Sequence, residues 1–226
     1  MENHNNDDYI SQQISVYKTN KKLCEFIDKL NPAPINNYAS LHANGTKVDN
    51  SEWKIYSKIG IVLQDYSKGT GENIVRVIAN ISPEEIRYIF SRLNLGVTDF
   101  CFEQDKVFGE PDENGFSIVT KLSIKRADKS PDKNGEMVKR TYPWQIMIDN
   151  GKGRKEKTST GGFVFKQFQS EKRVAVFFND IDLFILLSKV TRYLELWEIA
   201  SCIGLIKRAK EELEKIKEQN RLKIVR

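Results

Sequence analysis

The sequence predicts an α+β protein. Two tandem antiparallel strand-then-helix units pack pseudo-symmetrically, with an N-terminal helix before them and a long C-terminal helix after. Three observations lead there. Trp53-Lys54-Ile55 opens an extended stretch that runs through Ile74-Val75-Arg76-Val77 to a helix start at Ser82. Trp144-Gln145-Ile146 opens another, which runs through Val174-Ala175-Val176 to a helix start near Asn179. Clusters of Gly, Pro, Asp and Asn at 109–115 and 130–135 punctuate the second stretch as hairpin turns do.

The elements follow in order. Met1–Asp8 is polar and reads as unstructured. From Tyr9 to Leu30, apolar residues such as Ile10, Ile14, Tyr17 and Leu23 recur at helical spacing. This predicts a helix, interrupted near Thr19-Asn20 and ended before Asn31-Pro32. Pro32–Asn50 reads as a connector, so residues 1–50 form a helix and linker.

The duplicated sheet-and-helix domain spans residues 51–200. From Trp53 to Leu63 the odd positions are mostly apolar, while Lys54, Tyr56 and Lys58 share the other face, which predicts one half-buried strand. Ile74–Ala79 is a second strand. Ser82-Pro83-Glu84-Glu85 is a capping-box helix start, and Asn94-Leu95-Gly96 a helix end. The second unit predicts strands at 98–102, 115–126, 137–148, 162–167 and 173–178. A long helix follows Asn179, and residues 201–226, rich in Lys and Glu, extend it.

Composition narrows the function. No apolar run approaches the roughly 20 residues that span a bilayer, so no membrane partner is expected. The N-terminus has neither a basic region nor an apolar segment, and no secretory signal is expected. Cys24, Cys101 and Cys202 are scattered and form no CxxC pair, as in a reduced cytoplasmic protein. Two histidines, His4 and His42, leave little material for a zinc site or a His-based triad. Frequent Asn, Lys and Ile fit an AT-rich bacterial or phage genome.

No GxSxG, HExxH, Walker A or GxGxxG motif occurs, so no catalysis and no cofactor are expected. Gly151-Lys152-Gly153-Arg154-Lys155 has glycine and charge but leads to a strand, whereas a phosphate loop leads to a helix. Two carboxylate groups, Asp99/Glu103/Asp105 and Glu110/Asp112/Glu113, keep a metal-dependent nuclease as a lesser alternative. An oligomeric protein-interaction subunit, assembled through the C-terminal helix, is the other.

The remaining signal is basic residues interleaved with rings on strands. Between Gly151 and Phe178 stand seven basic and two acidic residues, equal to the whole formal charge of +5. Cations that track a backbone and rings that stack on unpaired bases are what single-stranded nucleic acid requires. The candidate contacts on the first unit are Lys54, Tyr56, Lys58 and Arg76. On the second they are Lys121, Lys125, Tyr142, Lys152, Arg154, Lys155 and Lys166. The opposing possibility is that Trp144, Phe163 and Phe165 fill the core while the lysines face water.

With these residues in view, the chain resembles the Whirly and positive-coactivator-type single-stranded DNA binders. The similarity covers about residues 52–200. It rests on the doubled layout, on the two Trp-initiated strands and on Val174–Leu187. Tyr56–Leu63 resembles the Lys-Gly-rich strand of the Whirly type, and Gly151–Lys155 resembles the basic hairpin of the coactivator type. The segment from Trp53 to Ser82 is short for a four-stranded unit. The resemblance implies a non-catalytic homo-oligomer that binds single-stranded DNA on open sheets, with helices at the oligomer interface; the residues themselves suit single-stranded DNA or RNA.

Overall fold

The computed structural model describes residues 10–47 and 53–224; Met1–Asp8 and His4 lie outside the described residues. Strands hold 46% of the residues and helices 31%, so the protein is mostly antiparallel β. That overturns the predicted architecture of tandem strand-then-helix units behind an N-terminal helix.

The predicted N-terminal helix is a hairpin of β1 (Gln13–Lys18) and β2 (Lys22–Lys29). The spacing of Ile10, Ile14 and Tyr17 suits a helix, but Cys24 and Phe26 alternate with Leu23, Glu25 and Ile27. Cys24 and Phe26 are both fully buried, which is period two. The break expected at Thr19-Asn20 is the hairpin turn. The Thr19 N–H donates to the Lys22 carbonyl (2.8 Å), and the Thr19 hydroxyl accepts from the Lys22 N–H (2.9 Å).

A 3-10 helix at Ile35–Ser40 leads to a two-stranded ribbon of β3 (Asn44–Lys47) and β4 (Lys54–Tyr56). Then β5 (Lys58–Asp65) and β6 (Val75–Ile81) complete a four-stranded sheet in the order β1-β2-β5-β6. The single strand predicted from Trp53 to Leu63 is therefore two, parted at Ser57. The stretch from Trp53 to Ser82 is short because half of this sheet comes from upstream of Leu30.

Helix α1 (Pro83–Asn94) has its capping box in place: Ser82 Oγ accepts from the Glu85 N–H, and Glu85 Oε2 accepts from the Ser82 N–H. Ile86, Ile89 and Leu93 face the core. The chain leaves α1 through Gly96 at φ 64°, a left-handed exit.

The second large sheet is built from longer strands. β7 (Asp99–Phe108) and β8 (Ser117–Ala127) are followed by a small ribbon, β9 (Lys129–Pro131) with β10 (Met137–Lys139). The strand predicted at 137–148 is thus divided. β11 (Trp144–Lys157) and β12 (Phe163–Phe178) then form a long hairpin, and the sheet order is β12-β11-β8-β7. The two strands predicted at 162–167 and 173–178 are one. Helix α2 (Asp180–Ile224) runs unbroken through residue 200, and Asn179 Oδ1 caps it by accepting from the Asp182 N–H (2.7 Å).

Both large sheets and both helices share one core. Phe26, Ile61 and Val77 come from the first sheet, Ile124, Trp144 and Val176 from the second, Ile89 and Leu187 from the helices. Each such side chain contributes about 1.5–3 kcal/mol by leaving water. Trp144 is fully enclosed, and its indole N–H donates to Asp180 Oδ1 (2.8 Å) at the start of α2. Asn150 bridges the two sheets. Its side-chain oxygen accepts from the Ile78 N–H (3.0 Å), and its amide donates to the Ile78 carbonyl (3.1 Å).

Candidate nucleic-acid interface

The predicted contact residues divide into a hairpin group on the second sheet (β8, β11 and β12), a group on the first sheet and the neighbouring β4, and Tyr142, which is exposed in the loop before β11. The hairpin group is the more heavily neutralised. Lys125 pairs with Glu103 (2.7 Å), Lys152 with Asp112 (2.9 Å), Lys166 with Glu156 (2.9 Å) and Lys121 with Asp105 (3.9 Å). These are surface pairs, worth little to the fold. Glu103, Asp105 and Asp149 each face a cation, the last held by Arg173. Among the described residues no group of three or more His, Cys, Asp or Glu side chains could hold a metal ion.

Rings and cations do interleave on this hairpin. Lys155 Nζ lies 4.4 Å from the centre of the exposed Phe163 ring, and the Arg154 guanidinium 5.4 Å from Phe116. Lys121 Nζ lies 5.8 Å from Phe165 and 5.3 Å from Phe168. Phe165 and Phe168 share a face, although three apart, because Gln167 takes a left-handed φ of 52° and the strand bulges there. Trp144, in contrast, belongs wholly to the core, while Phe163 is exposed and Phe165 half-buried.

The glycines of Gly151-Lys152-Gly153 serve this packing. A Cβ on Gly151 would overlap the Gln169 carbonyl oxygen, and one on Gly153 would press on Phe165 and Val119 at 3.0–3.1 Å. They let the returning strand cross close to β11, and no phosphate loop is formed.

The first-sheet group is different. Lys29 and Lys58 stand directly opposite each other across β2 and β5, and Gly60 stands opposite Asn80 across β5 and β6. Like charges in that register repel. A Cβ on Gly60 would meet Ile27 Cγ1 at 2.5 Å and Lys29 Cε at 3.2 Å, so the glycine makes room for the lysine stem. Lys29 Nζ donates to Asn80 Oδ1 (2.9 Å), and Lys106 Nζ, from β7 of the other sheet, donates to the Asn80 main-chain oxygen (2.6 Å). Two ammonium groups thus meet on one asparagine.

Lys29, Lys58 and Lys106 line a cavity of about 610 Å³ with Asn31, Tyr56 and Phe108. The two rings are partly exposed, and Lys58 Nζ lies 5.8 Å from the Tyr56 ring centre. None of these three lysines, nor Arg76, has an ion pair among the described residues. Burial, and then the charge of Arg76, pulls Lys29 below the usual lysine range. Burial, and then the charge of Lys58, does the same to Lys106, against the opposing pull of Glu85. Lys54 is exposed on β4, two residues before Tyr56, and Arg76 is exposed on β6.

Sequence reasoning missed Lys29, Asn80, Lys106 and Phe108. Lys29 fell in a segment read as helix, and Lys106 followed Glu103 and Asp105, which drew attention as acids. It also missed the surroundings of His42. His42 Nδ1 lies 2.8 Å from Ser57 Oγ, and Nε2 lies 2.9 Å from Glu198 Oε1. The order Ser-His-Glu is that of a hydrolase triad, but Ser57 is only 3% exposed and its oxygen already accepts the Asn31 N–H. With no approach for a substrate, the chain of bonds acts as a latch.

Comparison with known protein families, with characterised proteins and with solved structures finds no match. Among the described residues no helix is long and apolar enough to cross a membrane.

Proposed function

We propose that the protein binds single-stranded nucleic acid, DNA or RNA, and does not cleave it. One observation carries the reading. Lys29, Lys58 and Lys106 converge without carboxylate partners beside the exposed rings of Tyr56 and Phe108. A cation cluster that repels itself and forms no ion pair among the described residues is favoured by an external anion, and adjacent rings give unpaired bases a surface to stack on. Arg76 and Lys54 extend the charged face, and the Arg154–Phe116 and Lys155–Phe163 pairs offer a second stretch of the same chemistry. The exposed free thiol of Cys101 suits a reducing, cytoplasmic setting.

The test is a fluorescence-anisotropy titration with an unstructured oligonucleotide at several salt concentrations. Four neutralised phosphates give a slope of log K against log salt on the order of −3. No binding, or binding indifferent to salt, overturns the reading.

A second reading rests on α2. Leu196, Ile199 and Ile203 recur at three- and four-residue spacing and remain exposed, Ile203 at 71%. Such a stripe suits self-association, and the homo-oligomer is proposed with or without nucleic acid. Sedimentation of the intact chain at micromolar concentration as a monomer removes it.

A further inference from the structure

We infer that the cavity between the two sheets receives the phosphorylated end of a strand, a phosphomonoester, in preference to a phosphodiester within it. This rests on the strand-binding reading and narrows it. An internal phosphodiester carries one negative charge, whereas a terminal monoester carries nearly two at neutral pH, with three strong acceptor oxygens. The cavity offers three ammonium groups. Lys29 and Lys106 each use one donor on Asn80, which holds them side by side and leaves two donors apiece. Lys58 completes the set from across the strand pair.

Cost and shape agree. Both anchored lysines are partly removed from water and lie near a further cation, an arrangement that a single negative charge leaves under-compensated. At about 610 Å³ the cavity falls in the range that houses a small organic ligand. A terminal nucleotide fits there, its phosphate between the lysines and its base against Tyr56 or Phe108. The Asn31 amide oxygen and the Asn80 amide nitrogen can bond the base or sugar, the other ends of these amides being engaged within the protein, and among the described residues no carboxylate stands in the lining to repel the phosphate.

The experiment uses the intact chain and three labelled oligonucleotides of one sequence: 5′-phosphorylated, 3′-phosphorylated, and with hydroxyl at both ends. One phosphorylated form is expected to bind about tenfold more tightly than the hydroxyl form. The advantage should shrink below pH 6, as the phosphate takes up its second proton. Lys29→Met and Lys106→Met should each erase the difference, while Lys217→Met, on α2, should leave it. Equal affinity for all three oligonucleotides overturns the inference alone, and so does a preference that survives both pocket substitutions. Failure of every oligonucleotide to bind overturns the strand-binding reading and this inference with it. Both methionine variants remove a crowded charge, and melting curves at or above that of the parent chain establish that they are folded.

Discussion

Glu198 accepts from His42 with one carboxylate oxygen and from Arg87 with the other, at 2.9 and 2.7 Å. The three residues come from the segment before β3, from α1 and from α2, so one carboxylate joins parts of the chain that are distant in sequence. His42 also stacks on Trp197, with ring centres 5.0 Å apart. His42→Ala leaves Ser57 Oγ and Glu198 short of a partner and opens a gap over the indole. The expected cost is about 1–3 kcal/mol, read from urea unfolding. A change within a few tenths of a kcal/mol would show that the latch is ornamental.

The same carboxylate sets an acid limit. Burial alone would raise the Glu198 pKa, but the hydrogen bonds and charges of Arg87 and His42 outweigh it and hold it below the usual glutamate range. A depressed carboxylate contributes stability that is complete above its unfolded pKa of about 4.3 and is lost as pH falls through the lower folded value. Glu198→Gln should therefore be less stable than the parent at pH 7, with the gap closing below about pH 4. A constant difference across that range would contradict the assignment.

Lys29 and Lys58 give the opposite sign. They face each other as like charges, and Lys29→Met should raise the melting temperature while it weakens oligonucleotide binding. The gain is on the order of 0.2–1 kcal/mol, the usual scale of a cross-strand pair. Because Lys29 and Lys106 sit below the ordinary lysine range, their contribution to stability should improve as pH rises towards about 10.4, where the unfolded chain loses the corresponding protons. Thermal scans of parent and variant between pH 7 and 10 check both statements, and a melting temperature lowered by Lys29→Met would refute the crowding argument.

Gly151→Ala tests the hairpin. The added methyl has no room beside the Gln169 carbonyl, so the strands must part locally. Destabilisation of about 1–3 kcal/mol is expected, as for other overpacked sites, together with faster proteolysis within β12. Gly162→Ala, near the hairpin turn, where a Cβ meets nothing closer than 3.3 Å, is the matched comparison and should cost much less.

The legible parts of this molecule were those written in neighbouring residues. Ser82 and Glu85 announce a helix start because both halves of the box lie within four positions. The alternation on either side of Ile61 announces a strand for the same reason. Residues 10–30 were misread because Ile10, Ile14 and Tyr17 satisfy a helical period, and only burial distinguishes that from the alternation of Cys24 and Phe26. The hairpin lysines were found, but not their partners, since Lys125 meets Glu103 only through the register of β7 on β8. The cavity depends on register too. Nothing in the sequence sets Lys29 against Lys58, or brings Lys106 to Asn80 from another sheet.

Asn150 has a consequence for how the chain behaves in a crowd. β6 ends its sheet, and a terminal strand normally presents unmet peptide groups that can recruit a like strand from another molecule. Here a carboxamide imitates the missing neighbour at Ile78 and occupies both its donor and its acceptor. Asn150 at Ile78 and Lys106 at the Asn80 carbonyl together leave fewer peptide groups on that border for a strand of another molecule to pair with.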